Sequence, residues 1–151
     1  GIRQAMVEIG GEVRVLGRNK NDRKWRVGIR HPLKENKLLG VIELENESVA
    51  TSGDYENYFD LDGVRYSHII DPRTGKPTAS NIASVTIVGK ECADADALAT
   101  GLMVLPFDKG CRLLENLPDY EGIIMRRITE NKLEIFVTEG LKGKVDLYEP
   151  K

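Results

Sequence analysis

The sequence is poor in the residues that build several kinds of functional site. It has two cysteines, two histidines and one tryptophan among 151 residues, and only 6% of the residues are aromatic. Two thiols without a CxxC pair make no disulfide framework, and the cysteines and histidines lack zinc-ligand spacing. We therefore expect Cys92 and Cys111 to be ordinary thiols, one at a helix start and one inside a helix. The spacing leaves a pairing in an oxidising compartment open.

Long apolar runs and an excess of one charge are also missing. The longest apolar run, residues 98–105, is too short to span a bilayer and contains Thr100 and Gly101. The formal net charge is -2, and acidic residues are mixed among the basic ones, so no basic stripe indicates a nucleic-acid partner. With 40% hydrophobic and 30% charged residues, the composition predicts one globular domain over residues 1–151.

The chain opens on Gly1 and enters a strand almost at once, with no initiating methionine. We therefore expect it to begin partway through a longer protein. Any targeting segment would then lie upstream of Gly1.

Local patterns predict an α+β fold, with a mainly antiparallel sheet and two helices packed on one face. Alternating apolar residues indicate the strands, and apolar residues at helical spacing indicate the helices. The charged tail to Lys151 is expected to be loosely held. The predicted strands are residues 5–16 with a bend or bulge at Gly10-Gly11, 25–30, 38–44, 47–52, 83–88, a hairpin over 58–70 around Asp62-Gly63, and a hairpin of 122–128 and 132–138. The predicted helices are 93–104, with Asp94 as N-cap, and 107–115.

Two glycine-containing clusters could let a ligand approach the backbone. Gly10, Gly11 and Glu12 lie within a predicted strand, where glycines usually mark a bulge or a close approach. Glu12 is either a surface acid or a hydrogen-bond acceptor for a ligand. The second cluster, residues 51–55, places small hydroxyl side chains before Gly53, and taken alone this cluster favours a capped turn over a ligand site.

A third cluster surrounds His68, which ends a predicted strand just before the turn at residues 71–75. A single histidine usually packs in the core or lies on the surface, without a catalytic role. The position before a rigid turn is nevertheless one where catalytic groups are often held, and neutral imidazole can accept a proton from an attacking hydroxyl. His31 precedes Pro32 in a polar stretch, and we expect it to be solvated.

The fourth cluster pairs Asp96 with Thr100, which lie at i and i+4 on one face of the first helix. A carboxylate and a hydroxyl oxygen are suitable ligands for Mg²⁺, which fills its other positions with water or phosphate oxygens. A structural explanation is also open. Thr100 could bond back to the carbonyl of Asp96, and Asp96 could simply be an acid favoured in the first turn.

Taken in order, these clusters resemble the FAD:protein FMN transferase family, often called ApbE-like. The resemblance covers most of the chain from about residue 7 to residue 105 and is only general beyond Pro106. Its most specific parts are SHIIDPRTGKP and ADALAT. The matching segments, in chain order, are GGE, WRVGIRHP, ATSGDYENYF, a DG hairpin, RYSHIIDPRTGKP, SVTIV and ADALATGL.

The resemblance implies a reaction and a set of roles. Members move FMN from FAD onto a Thr or Ser hydroxyl of an acceptor protein with release of AMP, and Mg²⁺ bridges the diphosphate. His68 matches the catalytic base beside FAD, and Asp96 and Thr100 match the metal ligands. The remaining matches are flavin-site positions, namely Gly11, Glu12, Ser52, Gly53 and Tyr55. The fold implied is T-fold-like.

The resemblance also implies a cellular location and a reduced activity of the chain on its own. Members work in the bacterial envelope, in the periplasm or on the outer face of the cytoplasmic membrane, often through an N-terminal lipid anchor. They are about twice as long and carry an upstream DLGGIAKGY-type motif that this chain lacks. We therefore expect the chain alone to bind FAD poorly and to be catalytically weak. A Mg²⁺-dependent FAD pyrophosphatase, a non-catalytic flavin-binding module and a general α+β interaction domain are the competing hypotheses.

Overall fold

The computed structural model describes residues 1–55, 58–61 and 64–148, with side chains described for 1–55 and 67–148. The predicted Asp62-Gly63 turn lies outside these residues, although the two strands that flank it do pair. The strands are β1 Ala5–Ile9, β2 Glu12–Leu16, β3 Trp25–Arg30, β4 Leu38–Leu44, β5 Ser48–Gly53, β6 Tyr58–Leu61, β7 Val64–Ser67, β8 Ile70–Asp71, β9 Lys76–Pro77, β10 Ile82–Gly89, β11 Glu121–Thr129, β12 Lys132–Val137 and β13 Val145–Leu147. The helices are α1 Cys92–Met103, α2 Phe107–Glu115 and a 3₁₀ turn at Glu139–Leu141.

A six-stranded antiparallel sheet organises the fold, in the order β1-β2-β5-β10-β11-β12. The central strand β10 is buried at every one of its eight positions. Such complete burial requires cover on both faces of the sheet, which explains why residues 82–89 read as a nearly continuous apolar run. The predicted α+β class with a mainly antiparallel sheet is confirmed.

Both helices pack on one face of this sheet, as predicted. Helix α1 contributes the buried stripe Ala95, Ala99, Leu102 and Met103. Since alanine side chains are small, the helix can lie close to β5 and β10. The predicted N-cap is wrong: Glu91, with extended backbone, caps α1, and Asp94 lies inside the first turn. Among the described residues, no helix is long and apolar enough to cross a bilayer.

A second, three-stranded sheet covers the opposite face, in the order β13-β4-β3. Its side chains Ile29, Leu39 and Ile42 share a core with Val88 of β10. The described part of the tail is held more firmly than predicted, because Val145–Leu147 pairs with β4 from Ile42 to Gly40. Strand alternation identified β3 and β4 but could not show that they leave the main sheet.

The glycine pair near the start of the chain forms a turn, and the predicted bend within one strand is wrong. Ile9 pairs with Glu12 across a two-residue loop, so β1 and β2 form an antiparallel hairpin. The loop needs positive φ at both positions, and Gly10 and Gly11 have φ of 70° and 105°. This turn brings Glu12 to the start of β2, beside the glycine loop.

Gly122 on β11 is expected to tolerate no side chain. A Cβ there would lie 2.7 Å from the Thr86 carbonyl oxygen and 2.9 Å from Leu114 Cδ2. Because the oxygen belongs to the neighbouring strand, relief requires the sheet to shift. We expect Gly122→Ala to lower the free energy of unfolding by about 1–3 kcal/mol, measured by urea denaturation.

The matched control is Gly101→Ala, at an exposed helical position where a Cβ would meet nothing within 4 Å. This change is expected to stabilise the chain by about 0.5–1 kcal/mol. Equal stability of the two variants would contradict the close packing described for Gly122.

Candidate functional site

One face of α1 carries a row of polar side chains beside its buried stripe. Cys92, Asp96 and Thr100 follow one another at intervals of four residues, so they lie one above another. Cys92 and Asp96 are half-buried, and Thr100 is exposed. The predicted pair Asp96 and Thr100 therefore does share a helix face.

Ser52 joins this row from the neighbouring strand. Its Oγ lies 2.8 Å from Thr100 Oγ1. Ser52 points toward α1 because Ala50, two residues earlier on β5, packs in the helix-side core. The contact brings together two clusters that are 48 residues apart in sequence. The Thr100 hydroxyl is thus bonded to Ser52, a partner that the structural explanation did not include.

A cavity of about 340 Å³ opens between the β1–β2 hairpin and the start of α1. Val7 and Ile9 form an apolar wall, and Glu12, Arg14, Cys92, Ala93 and Asp96 complete the lining. Glu12 and Asp96 therefore border one space, although 84 positions separate them (96 − 12). An apolar wall facing a few charged groups suits a flat heteroaromatic ring with polar edges.

Arg14 is fixed at the edge of the cavity by carbonyl groups. Its Nη1 donates to the carbonyls of Lys90, at 2.7 Å, and Asn46, at 3.0 Å. These bonds tie β2 to the segment that leads into α1. Sequence reasoning did not single out Arg14, because its partners lie 32 and 76 residues away.

The thiol of Cys92 reports on the charge around the cavity. Burial raises the pKa of Cys92, and the carboxylates of Glu12 and Asp96 raise it further. A hydrogen bond with Ser48 and the charge of Arg14 act in the opposite direction on this pKa. The cavity is lined by two carboxylates and one guanidinium, a small excess of negative charge that favours a cation.

The two thiols are expected to react slowly and in a fixed order. Both are free, and Cys111 is buried with its pKa raised to about 11, chiefly by desolvation. Because the thiolate is the reactive form, both should alkylate more slowly than free cysteine at pH 8, and faster as the pH rises. Half-buried Cys92 should react before Cys111, measured by peptide mass spectrometry of the native chain. Earlier labelling of Cys111 would contradict the packing of α2.

Gly53 and Tyr55 lie together at the end of β5. A Cβ on Gly53 would sit 2.4 Å from Tyr55 Cε1, so the ring rests directly on the glycine. Between them, Asp54 accepts 2.7 and 3.2 Å bonds from the two Nη atoms of Arg127 on β11. Sequence reasoning missed Arg127, because a partner 73 residues away leaves no local signal. The ion pair ties the predicted flavin-site segment to the sheet.

His68 is exposed between two buried residues, Ser67 and Ile69. The Ser67 hydroxyl accepts a 3.1 Å bond from the Ile69 amide. Ile69 packs in the helix-side core with Ala95 and Ala99. Alternation around these anchors leaves the His68 side chain exposed, on a segment whose Ile69 packs in the same core as α1.

The other histidine does not match its predicted environment. His31 is only 6% exposed, and its Nδ1 accepts a 3.0 Å bond from the Leu33 amide. The expected solvated side chain is therefore wrong, because the imidazole fills the turn after β3. Gly11, the remaining predicted site residue, lies exposed in the hairpin loop next to Glu12.

The donors near Asp96 are of the kind that Mg²⁺ accepts. Asp96 offers a carboxylate, and the contacting hydroxyls of Thr100 and Ser52 add oxygen atoms. Among the described side chains, no group of three or more His, Cys, Asp or Glu could hold a metal ion. A site with one carboxylate still fits Mg²⁺, which often takes one or two carboxylates and fills the remaining positions with water and phosphate oxygens.

Comparison with known proteins gives a consistent result. The model of the ApbE family matches residues 1–124. The FAD:protein FMN transferase of Vibrio cholerae serotype O1 is 49% identical over 116 residues, which is 76% of this chain and 35% of the relative. That of Escherichia coli K12 is 40% identical over 131 residues, which is 86% of this chain and 36% of the relative. The match thus extends beyond residue 105.

Solved structures similar to this chain are also ApbE proteins. The flavin transferase ApbE from Vibrio cholerae has a TM-score of 0.79 at 38% identity, covering 94% of this chain and 44% of that protein. The ApbE protein from Thermotoga maritima has a TM-score of 0.81 at 35% identity, covering 93% of this chain and 44% of that protein. The chain therefore spans between about a third and a half of the length of the relatives it matches.

Proposed function

Since the chain belongs to the ApbE family, we propose that the protein carrying it transfers FMN from FAD to a Thr or Ser hydroxyl of an acceptor protein, releasing AMP. Relatives that share 40–49% of the aligned residues are named FAD:protein FMN transferases. The observation that carries the proposal is the convergence of Glu12, Asp96, Thr100 and Ser52 on one edge of α1.

The diphosphate of FAD would lie along this edge of α1. Asp96 and Thr100 are the residues that would hold Mg²⁺, with Ser52 fixing the Thr100 hydroxyl. When bound, the ion would neutralise the diphosphate oxygens and stabilise the charge that develops as AMP leaves. The apolar wall of Val7 and Ile9 offers a face for a ring, and Glu12 can accept a hydrogen bond from a ring N–H.

His68 supplies the proton transfer in the proposed reaction. The acceptor oxygen forms a bond to the phosphorus of the FMN half, and the bond from that phosphorus to the AMP oxygen breaks. Neutral imidazole takes the proton that the acceptor hydroxyl loses. Because His68 is exposed, a segment of a second protein can reach it. Water can reach it too, and hydrolysis to FMN and AMP is therefore the competing outcome.

The test uses the full-length protein that carries this chain, with FAD, Mg²⁺ and a Thr-containing acceptor. The expected result is a mass gain of one FMN on the acceptor, with one AMP released per transfer. AMP and free FMN with an unmodified acceptor would indicate a pyrophosphatase instead. Bound FAD without any AMP would indicate a flavin-binding module.

The isolated chain is expected to bind FAD much more weakly than the full-length protein. The cavity is open, and one polar edge with one apolar wall covers only part of a dinucleotide. Fluorescence titration of FAD against both proteins measures the difference. Equal affinity would show that residues 1–151 already contain the whole FAD site.

A further inference from the structure

The segment after His68 is fastened to the carboxyl-terminal end of α1 by three side chains. Arg73 Nη2 donates to the Val104 carbonyl at 2.9 Å, and Ser80 Oγ to the Leu105 carbonyl at 3.3 Å. Thr78 Oγ1 makes a longer contact of 3.5 Å with the Met103 carbonyl. Helix ends leave such carbonyls without partners inside the helix. Three consecutive carbonyls are therefore satisfied from one loop.

Arg73 is the best-defined of these contacts because Asp71 fixes its geometry. Arg73 Nε and Nη2 donate to the two Asp71 oxygens at 2.9 and 2.7 Å, and the Arg73 amide donates to Asp71 Oδ1 at 2.9 Å. These bonds lower the pKa of Asp71 below its ordinary value of 3.8, so the carboxylate stays charged at neutral pH. A two-pronged carboxylate bond holds the guanidinium in one orientation.

Arg73 also supplies a charge that α1 itself lacks. The last turn of α1 contains no basic residue, whereas cations are favoured at that end of a helix. The Arg73 guanidinium occupies this position from another segment. Its link runs directly to the helix that carries Asp96 and Thr100.

We propose that Arg73 is a positioning residue. It fixes the chain around His68 relative to the face of α1 that carries Asp96 and Thr100. The proposal rests on the proposed transfer reaction. Two fixed points follow His68 in the chain: Ile69 is packed in the α1 core, and Arg73 is bonded to the Val104 carbonyl. Both fixed points contact one helix, so the position of the imidazole relative to Asp96 depends on them.

The effects of Arg73 on folding stability and on reaction rate distinguish a positioning role from a purely structural one. The Arg73 side chain is 60% exposed, and ion pairs this exposed contribute little to folding stability. A small displacement of a reacting group can nevertheless cost about 100-fold in rate. Loss of Arg73 is therefore expected to lower kcat while leaving the melting temperature and FAD affinity nearly unchanged.

The experiment compares Arg73→Gln, Arg73→Lys and the control Arg112→Gln in the full-length protein. Arg112 is an exposed cation in the last turn of α2 and controls for loss of a helix-end charge. Kcat for FMN transfer, KM for FAD and thermal melting are measured for each, alone and combined with His68→Ala. We expect Arg73→Gln to lower kcat by about 10–100-fold with KM within about twofold, and Arg73→Lys to recover part of the loss.

Acting through His68 has a further signature. In the His68→Ala background, Arg73→Gln should cause no additional loss of kcat, and Arg112→Gln should be neutral in both backgrounds. Three results would overturn the positioning role and leave the proposed function standing. They are a wild-type kcat in Arg73→Gln, an effect of Arg73→Gln on KM only, and full additivity of Arg73→Gln with His68→Ala. Absence of FMN transfer by the wild-type protein would overturn the proposed function, and this inference with it.

Discussion

Replacing Asp96 by asparagine is expected to reduce FMN transfer by about 1,000-fold. Asparagine keeps the shape and one oxygen but removes the negative charge of the carboxylate that lies one helical turn before Thr100. A metal ion at a transferring phosphoryl group supplies several kcal/mol, and each 1.36 kcal/mol corresponds to about tenfold in rate. The measurement is kcat/KM for transfer, together with a calorimetric titration of Mg²⁺ in the presence of FAD.

Asp94→Asn is the matched control for Asp96. Asp94 lies two residues earlier on the same helix, is exposed, and accepts a 3.4 Å bond from the Tyr120 hydroxyl. The control should keep both activity and Mg²⁺ affinity. If Asp96→Asn retained wild-type Mg²⁺ affinity, the metal would have to be held elsewhere.

Replacing His68 by glutamine is expected to lower kcat by about 100- to 10,000-fold, which is the usual contribution of a general base. Glutamine preserves polarity and much of the length but cannot take the proton of the acceptor hydroxyl. The side chain is exposed, so folding should be nearly unaffected. The variant should still bind FAD and Mg²⁺, measured by fluorescence and calorimetry, while transfer is followed by intact mass of the acceptor.

Lys76→Ala provides the comparison for His68, because Lys76 is an exposed residue on the same segment. It is expected to keep wild-type kcat. Transfer by His68→Gln at the rate of Lys76→Ala would mean that another group takes the proton. A loss of FAD binding equal to the loss of rate would instead assign His68 to binding.

Local pattern was sufficient for elements whose partners are near in sequence. Helix α2 was predicted at residues 107–115 and observed at Phe107–Glu115, because one apolar stripe defines it. The hairpin of β11 and β12 was likewise predicted to within a residue or two. The glycine pair forms a turn where a bend within one strand is predicted, although two glycines between apolar runs are a known hairpin signal.

Most of the contacts that the sequence does not predict join residues that are far apart in the chain. Nothing near Asp54 indicates Arg127, and nothing near residue 145 indicates that β13 pairs with β4. The burial of His31 has a different cause, because its partner, the Leu33 amide, is only two residues away and the turn that contains both residues forms only in the folded chain. The Asp96 and Thr100 pair was predictable because both lie on one helix, whereas Ser52 could be named but not placed beside Thr100 without the fold.

Because of the four-residue spacing on α1, this region tolerates some substitutions but no insertion or deletion. A helix rises about 1.5 Å per residue and turns about 100° per residue, so Cys92 and Thr100 are about 12 Å apart along the axis. Between Asp96 and Thr100, exposed Ala97 can be exchanged, whereas Ala99 must stay small and buried and Leu98 must stay apolar because it packs against the core. Inserting or deleting one residue there would swing Thr100 away from Ser52. The exposed positions of this segment can therefore diverge in composition, while its length is held constant.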